Sequence, residues 1–159
     1  MTSTQSPSTV DVLGDSIFIT NENMHAEQIR KAGAIILHND GSRRIALIFR
    51  GKEEDWSFPK GHVEPDEKPF ATCVREVKEE VGLDVEIITQ LPDNEYLHKS
   101  GKKIITYMYL VRSKGGNFFI EKFEDKIEWV NIKDVKDRLS YENLRKYYSD
   151  ILPIIESKF

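Results

Sequence analysis

The chain has 159 residues, 39% hydrophobic and 31% charged, with a net charge of −4 at pH 7. That suits one globular unit with a sizeable core and is too short for two comfortable ones. The acidic balance excludes a general attraction to nucleic acid or anionic membrane, so a phosphate-bearing ligand has to be held by local cations or metal.

Residues 1–29 read as an N-terminal extension, polar at its start and partly mobile, with Asp15-Ser16-Ile17-Phe18-Ile19-Thr20 as a candidate edge strand. The domain is expected over residues 30–159. Ala32 to Leu37 and Ile45 to Phe49 are apolar runs of strand length separated by Asn39-Asp40-Gly41, which predicts a buried hairpin. Trp56 and Phe58 alternate with polar neighbours and lead into a Gly-, Pro- and acid-rich loop, Gly61 to Lys68.

Pro69 suits a first helical position and Gly82 the left-handed residue past a helix end, so the spacing predicts a helix from about Pro69 to Val81 with Lys68 as a poor N-cap. At about 100° per residue, Phe70, Val74, Val77 and Val81 form one stripe and Glu76, Glu79 and Glu80 cluster roughly opposite. The stripe is expected to pack and the carboxylates to stay out. Cys73, the only cysteine, excludes an intramolecular disulfide and is expected to be a small buried thiol.

Downstream, Asp84 to Ile88 alternates as a strand. Glu95 to His98 and Lys103 to Val111 flank a hairpin turn, with Ile105, Tyr107 and Tyr109 on one face and Ile104, Thr106, Met108 and Leu110 on the other. Lys114-Gly115-Gly116-Asn117 predicts a further turn before Phe118-Phe119-Ile120, then a strand at Ile127 to Val130, and helices over 132–139 and 141–155. Strands around one central helix with helices at the end imply an α/β (α+β) fold, a mixed sheet covered on two sides. No apolar run reaches the ~20 residues of a membrane span, and Met1 to Thr9 lacks the order of a signal peptide. No membrane partner and a cytoplasmic location are therefore expected.

Three like charges at i, i+3 and i+4 repel one another unless something offsets them, and a hard divalent cation with oxygen ligands would do so. Gly61, Glu67, Arg75, Glu76, Glu79, Glu80 and Gly82, with aliphatic Val77 and Leu83, together match the signature of the Nudix hydrolases. Seven such identities at fixed offsets coincide by chance on the order of once in 10⁸ windows. The resemblance implies a three-layer α/β/α sandwich and metal-dependent hydrolysis of a pyrophosphate bond in a nucleoside diphosphate linked to another group. By position, Glu76, Glu79, Glu80 and the Gly61 carbonyl match ligands for Mg²⁺, with Mn²⁺ as the alternative. Glu79 and Glu76 with Arg75 match the catalytic positions, and Glu67 an orienting partner of Arg75.

Glu124, with Glu121 and Asp125 beside it, is the candidate for a remote base. Lys60, Arg50, His62 and Tyr107 are candidates for holding substrate, and Tyr96 and Tyr109 are further aromatic platforms. The segment from Trp56 to Glu67 is similar to the diadenosine polyphosphate hydrolases within the family, so a dinucleoside polyphosphate is the favoured small-molecule substrate and no nucleic-acid partner is expected. A nucleoside triphosphate, a nucleotide sugar or a non-catalytic nucleotide-binding module are the alternatives. The N-terminal extension is of a kind that packs on its own sheet or on a second subunit of a homodimer.

Overall fold

The computed structural model describes residues 28–159; the candidate strand at Asp15 to Thr20 lies outside them. Strand β1 (Gln28–Leu37) is the axis of the sheet. It runs parallel to β7 (Lys103–Gly116) and antiparallel to β2 (Arg44–Arg50). The expected hairpin is present, but its two strands meet at Leu37 and Ile45, whereas Lys31 to Gly33 pair with the short β4 (Lys60–His62). β4 thus brings the Lys60-Gly61 backbone against the middle of the domain.

The remaining strands are β3 (Asp55–Ser57) and β8 (Lys126–Asn131) on β2, and β5 (Leu83–Gln90) and β6 (Asn94–Leu97) on β7. The order β3-β2-β1-β7-β5, with one parallel pair among antiparallel ones, is the mixed sheet expected.

Side chains alternate between two cores, as the two-residue period of a strand requires. Ile35, Leu37, Ile45, Leu47, Met108 and Leu110 face one side and meet Tyr147, Tyr148, Ile151 and Ile155 of helix α3 (Glu142–Glu156). Ala32, Ala34, Ile36, Ala46, Tyr109 and Val111 face the other and meet Cys73, Val77 and Val81 of helix α1 (Pro69–Val81). The result is helix, sheet, helix.

Helix α1 has the expected ends: Lys68 stands extended and makes no side-chain cap, and Gly82 takes φ 85°. Its orientation differs from the expected stripe. Phe70 and Val74 are 50% and 37% exposed, while Thr72 and Cys73 are fully covered. Glu76 and Glu80 follow Cys73 by three and seven residues, so they share its sheet-facing side rather than the solvent side. Burial pushes the Cys73 thiol up to about 12, which keeps it protonated.

Two further expectations are corrected. Lys114 to Gly116 is not a turn: β7 continues to Gly116, because Gly115 and Gly116 adopt φ 146° and 90° while keeping their pairing with Asp84 and Leu83. The helix expected over 132–139 is a single turn, α2 (Val135–Arg138), flanked by the buried anchors Ile132 and Leu139.

Candidate active site

Helix α1 lies against β4, and the contact between them is polar. The Glu76 carboxylate sits so close to Gly61 that a Cβ there would fall 1.9 Å from Glu76 Oε2. One turn on, Glu80 Oε1 accepts the Lys60 backbone N–H at 3.1 Å. Two carboxylates therefore converge on the Lys60-Gly61 peptide, half-withdrawn from water.

Their protonation equilibria record the cost. Burial, and next the neighbouring Glu76 charge, push the Glu80 carboxyl up to about 7. Burial also raises Glu76, although the Arg75 guanidinium offsets part of it. On the other side of the same peptide, burial and then the charges of Arg50 and Lys31 lower the Lys60 ammonium to about 8.

Arg75 is the hub of the acidic cluster. Its Nε and Nη2 donate to the two oxygens of Glu67 at 2.8 and 2.9 Å, and Nη1 donates to Glu76 at 2.7 Å and Glu79 at 3.0 Å. Nη2 also reaches the His62 carbonyl at 3.2 Å. Glu67 accepts in addition from Thr72 Oγ1 at 2.6 Å, and the Arg75 bonds first, then Thr72, hold its carboxyl down at about 2. The fork from one guanidinium to three acids fixes their rotamers. Arg75→Lys, which keeps the charge and loses the fork, is expected to lower kcat about 10–100-fold, the range typical of groups that orient metal ligands. Steady-state kinetics beside a melting curve would check this, and an unchanged kcat would refute it.

Among the described residues, no three His, Cys, Asp or Glu side chains stand around one point at coordinating distance; Arg75 holds Glu76 and Glu79 in ion pairs. The set nonetheless fits a hard divalent cation. Its donors are carboxylate oxygens, two of them held where burial disfavours their own charge, and they line a cradle at Gly61 that a single methyl would fill.

Beyond Lys60 opens a cleft of about 880 Å³. Lys31, Arg50, Lys60, Lys99 and Lys102 line it against one acid, Glu53, so a chain that is acidic overall concentrates positive charge here. His62 and Tyr96 also line it, as do Asn94, Thr106 and Tyr141. Lys31 and Tyr141 were not legible in the sequence as members of the site. The first lies within β1 just before its apolar run, and the second is brought in from the far end of the chain.

Tyr107 does not line the cleft. It projects to the opposite face of the sheet, as its alternation with Thr106 and Met108 requires, and there it accepts from Arg30 Nε at 3.2 Å. Tyr109 is 7% exposed within the same core. A smaller depression, about 180 Å³, joins Glu80 and Arg50 to Glu121 and Asp125. Glu124 is absent from its lining because its stem packs on Gly51, and the Gly51 N–H donates to Asp125 Oδ1 at 2.9 Å.

The NUDIX domain family matches residues 28–151. The chain is 31% identical over 128 residues to mRNA-decapping enzyme subunit 2 of Saccharomyces cerevisiae, covering 78% of this chain and 13% of that one. It is 30% identical over 138 residues to an 8-oxo-(d)GTP phosphatase of Mycolicibacterium smegmatis, covering 80% and 42%. The chain thus spans less than half the length of either curated relative. In fold it is similar to an Ap4A hydrolase of C. elegans, with a TM-score of 0.68 at 20% identity over 81% of this chain and 98% of that one. A domain match over most of the described residues, a helix α1 that sets Glu76 against Gly61 and Glu80 against the Lys60 N–H, and Arg75 bridging Glu76 and Glu79 to Glu67 lead to one assignment: the chain belongs to the Nudix hydrolase family.

Proposed function

We propose that the protein hydrolyses a phosphoric anhydride in a nucleotide-containing substrate, with a dinucleoside polyphosphate favoured. The observation that carries this reading is the junction at Lys60-Gly61, where half-buried carboxylates on one side meet a cation-lined cleft on the other. Polyphosphate has to be neutralised, water has to be made a better nucleophile, and attack has to be in line with the leaving oxygen.

Glu76 and Glu80, with Glu79 and the Gly61 carbonyl, would hold a divalent cation. When bound, Mg²⁺ or Mn²⁺ supplies neutralisation of the phosphoryl oxygens and a lowered pKa for water. Arg50, Lys31 and Lys60 draw the phosphate chain into the cleft and hold it against the carboxylates. Arg75 keeps Glu67, Glu76 and Glu79 in fixed rotamers. Glu79, the most exposed of the three helix acids, takes the role of base. If a remote carboxylate shares that work, the depression around Glu80 favours Glu121 or Asp125 over Glu124.

The size of the cleft, its charge, and the similarity of the segment from Trp56 to Glu67 to the diadenosine polyphosphate hydrolases support the dinucleoside polyphosphate. Tyr96 offers a base an aromatic face within the cleft. A capped or triphosphorylated RNA 5′ end is the second reading, favoured by Lys99 and Lys102 at the rim and by the similarity to the decapping subunit.

Diadenosine tetraphosphate, a nucleoside triphosphate, a nucleotide sugar and a 5′-triphosphate RNA should be compared with Mg²⁺ by product identity and kcat/KM. The expected result is a kcat/KM for diadenosine tetraphosphate at least about tenfold above the others, a margin of roughly 1.4 kcal/mol in transition-state binding. Preference for the RNA would move the assignment to the second reading, and no turnover of any member would overturn it.

A further inference from the structure

The strongest polar cluster outside the acidic helix lies beneath the cleft and is centred on Asp55. This carboxylate is 2% exposed, yet it is charged and fully engaged. Arg50 donates to it twice, Nε to Oδ1 at 2.8 Å and Nη2 to Oδ2 at 2.6 Å. The Tyr141 hydroxyl donates to the same Oδ2. Burial disfavours the Asp55 charge, but the bonds from Arg50 and Tyr141 outweigh it and hold the carboxyl below its usual range.

The geometry of the fork matters. Asp55 occupies the Nε–Nη2 edge of the guanidinium, and Glu53 stands on that same edge at 3.9 Å from Nε. Among the described residues, Nη1 has no partner. Arg50 lines both the large cleft and the depression containing Glu80, so its side chain stands where the two meet. The charges of Lys60 and Lys31 repel the guanidinium, and the two-pronged bond to Asp55 opposes its displacement.

Asp55 is itself fixed from the far end of the chain. Trp56 and Ser140 exchange bonds in both directions, Trp56 N–H to Ser140 Oγ at 2.8 Å and Ser140 N–H to the Trp56 carbonyl at 3.2 Å. The Arg138 guanidinium lies over the Trp56 ring, 4.3 Å from its centroid. These contacts strap β3 to the segment that precedes α3. Tyr141, the N-cap residue of α3, therefore reaches the cleft floor in a fixed position.

We infer that Asp55 is a positioning residue that, braced by Tyr141, presents the free edge of Arg50 to phosphoryl oxygens of the substrate. This deepens the proposed function, since it rests on the cleft as the polyphosphate site. A guanidinium so held offers two donors to one phosphate without loss of rotamer freedom on binding.

A double-mutant cycle with Asp55→Asn and Arg50→Lys tests it, read by kcat and KM on the cleaved substrate, by inorganic pyrophosphate binding in calorimetry, and by melting temperature. Asp55→Asn should raise KM and weaken pyrophosphate about tenfold or more, and should add nothing further once Arg50 is Lys, the signature of action through one partner. Tyr141→Phe, which removes a single brace, should give a smaller loss in the same direction. Independent, multiplicative effects of Asp55→Asn and Arg50→Lys would overturn the inference, as would unchanged pyrophosphate affinity in Asp55→Asn. Should Asp55→Asn fail to fold, Tyr141→Phe and Arg50→Lys decide through pyrophosphate alone, and unchanged affinity in both overturns the inference. Pyrophosphate binding by the unaltered protein also separates the two readings: binding without turnover of any substrate defeats the hydrolase assignment and leaves the Asp55–Arg50 cycle readable.

Discussion

Glu80→Gln is expected to lower kcat by about 10²–10⁴-fold while raising the melting temperature of the metal-free protein at pH 8. The two effects have one cause. Burial and the Glu76 charge lift the Glu80 carboxyl to about 7 in the folded protein, above the ordinary glutamate value near 4.3. A group raised on folding contributes stability that is complete below the unfolded value and is lost as pH rises through the folded one. The contribution is therefore present at pH 4 and gone by pH 8, and the charged form costs at most about 4 kcal/mol, less at a site still partly wet. Gln keeps an oxygen for the Lys60 N–H and removes the charge, so the variant should melt a few degrees higher at pH 8, about 2–8 °C, and the gain should vanish near pH 4. Added Mg²⁺ should stabilise the natural protein and do less for the variant, because one ligand is gone. A lower melting temperature at pH 8 with full activity would show that Glu80 is an ordinary half-buried acid.

The same residue shows where the sequence misleads. The ends of α1 were legible because Pro69 and Gly82 each have a backbone reason to stand where they do, and those reasons are local. The face of the helix was not. Periodicity places apolar residues inside, and Phe70, Val74, Val77 and Val81 satisfied it; but Phe70 and Val74 are exposed, and Glu76 and Glu80 take the inner positions against β4. A site that needs desolvated carboxylates departs from the pattern that folds the rest of the helix. The resemblance to a known signature identified the acids but carried no information about their burial. Gly115 and Gly116 misled for another reason, because glycines that signal a turn also permit the irregular end of a long strand. Asp55 and Tyr141 lie 86 positions apart in the chain, and no local pattern reports a hydrogen bond of that range.

Gly61→Ala is the second large effect, expected to reduce kcat/KM about 10²–10³-fold with a much smaller loss of stability. Gly61 is not needed for a left-handed backbone; its φ is not positive. What it provides is space. An added Cβ would stand 1.9 Å from Glu76 Oε2, 2.0 Å from Cδ and 2.6 Å from Cγ, so the methyl would occupy the volume of the carboxylate. The end of a glutamate can swing aside for little energy, which is why the fold should survive. In doing so it leaves the Lys60-Gly61 peptide, breaks the 2.7 Å bond from Arg75 Nη1 and removes one of the oxygens on which the cation site depends. The pair Gly61→Ala with Glu76→Ala separates the two consequences. Taking away the displaced side chain should restore the melting temperature lost in Gly61→Ala and should not restore turnover. Melting curves and initial rates for the two single variants and the double one decide it. Natural rates in Gly61→Ala would mean that the contact between this glycine and Glu76 has no part in the chemistry.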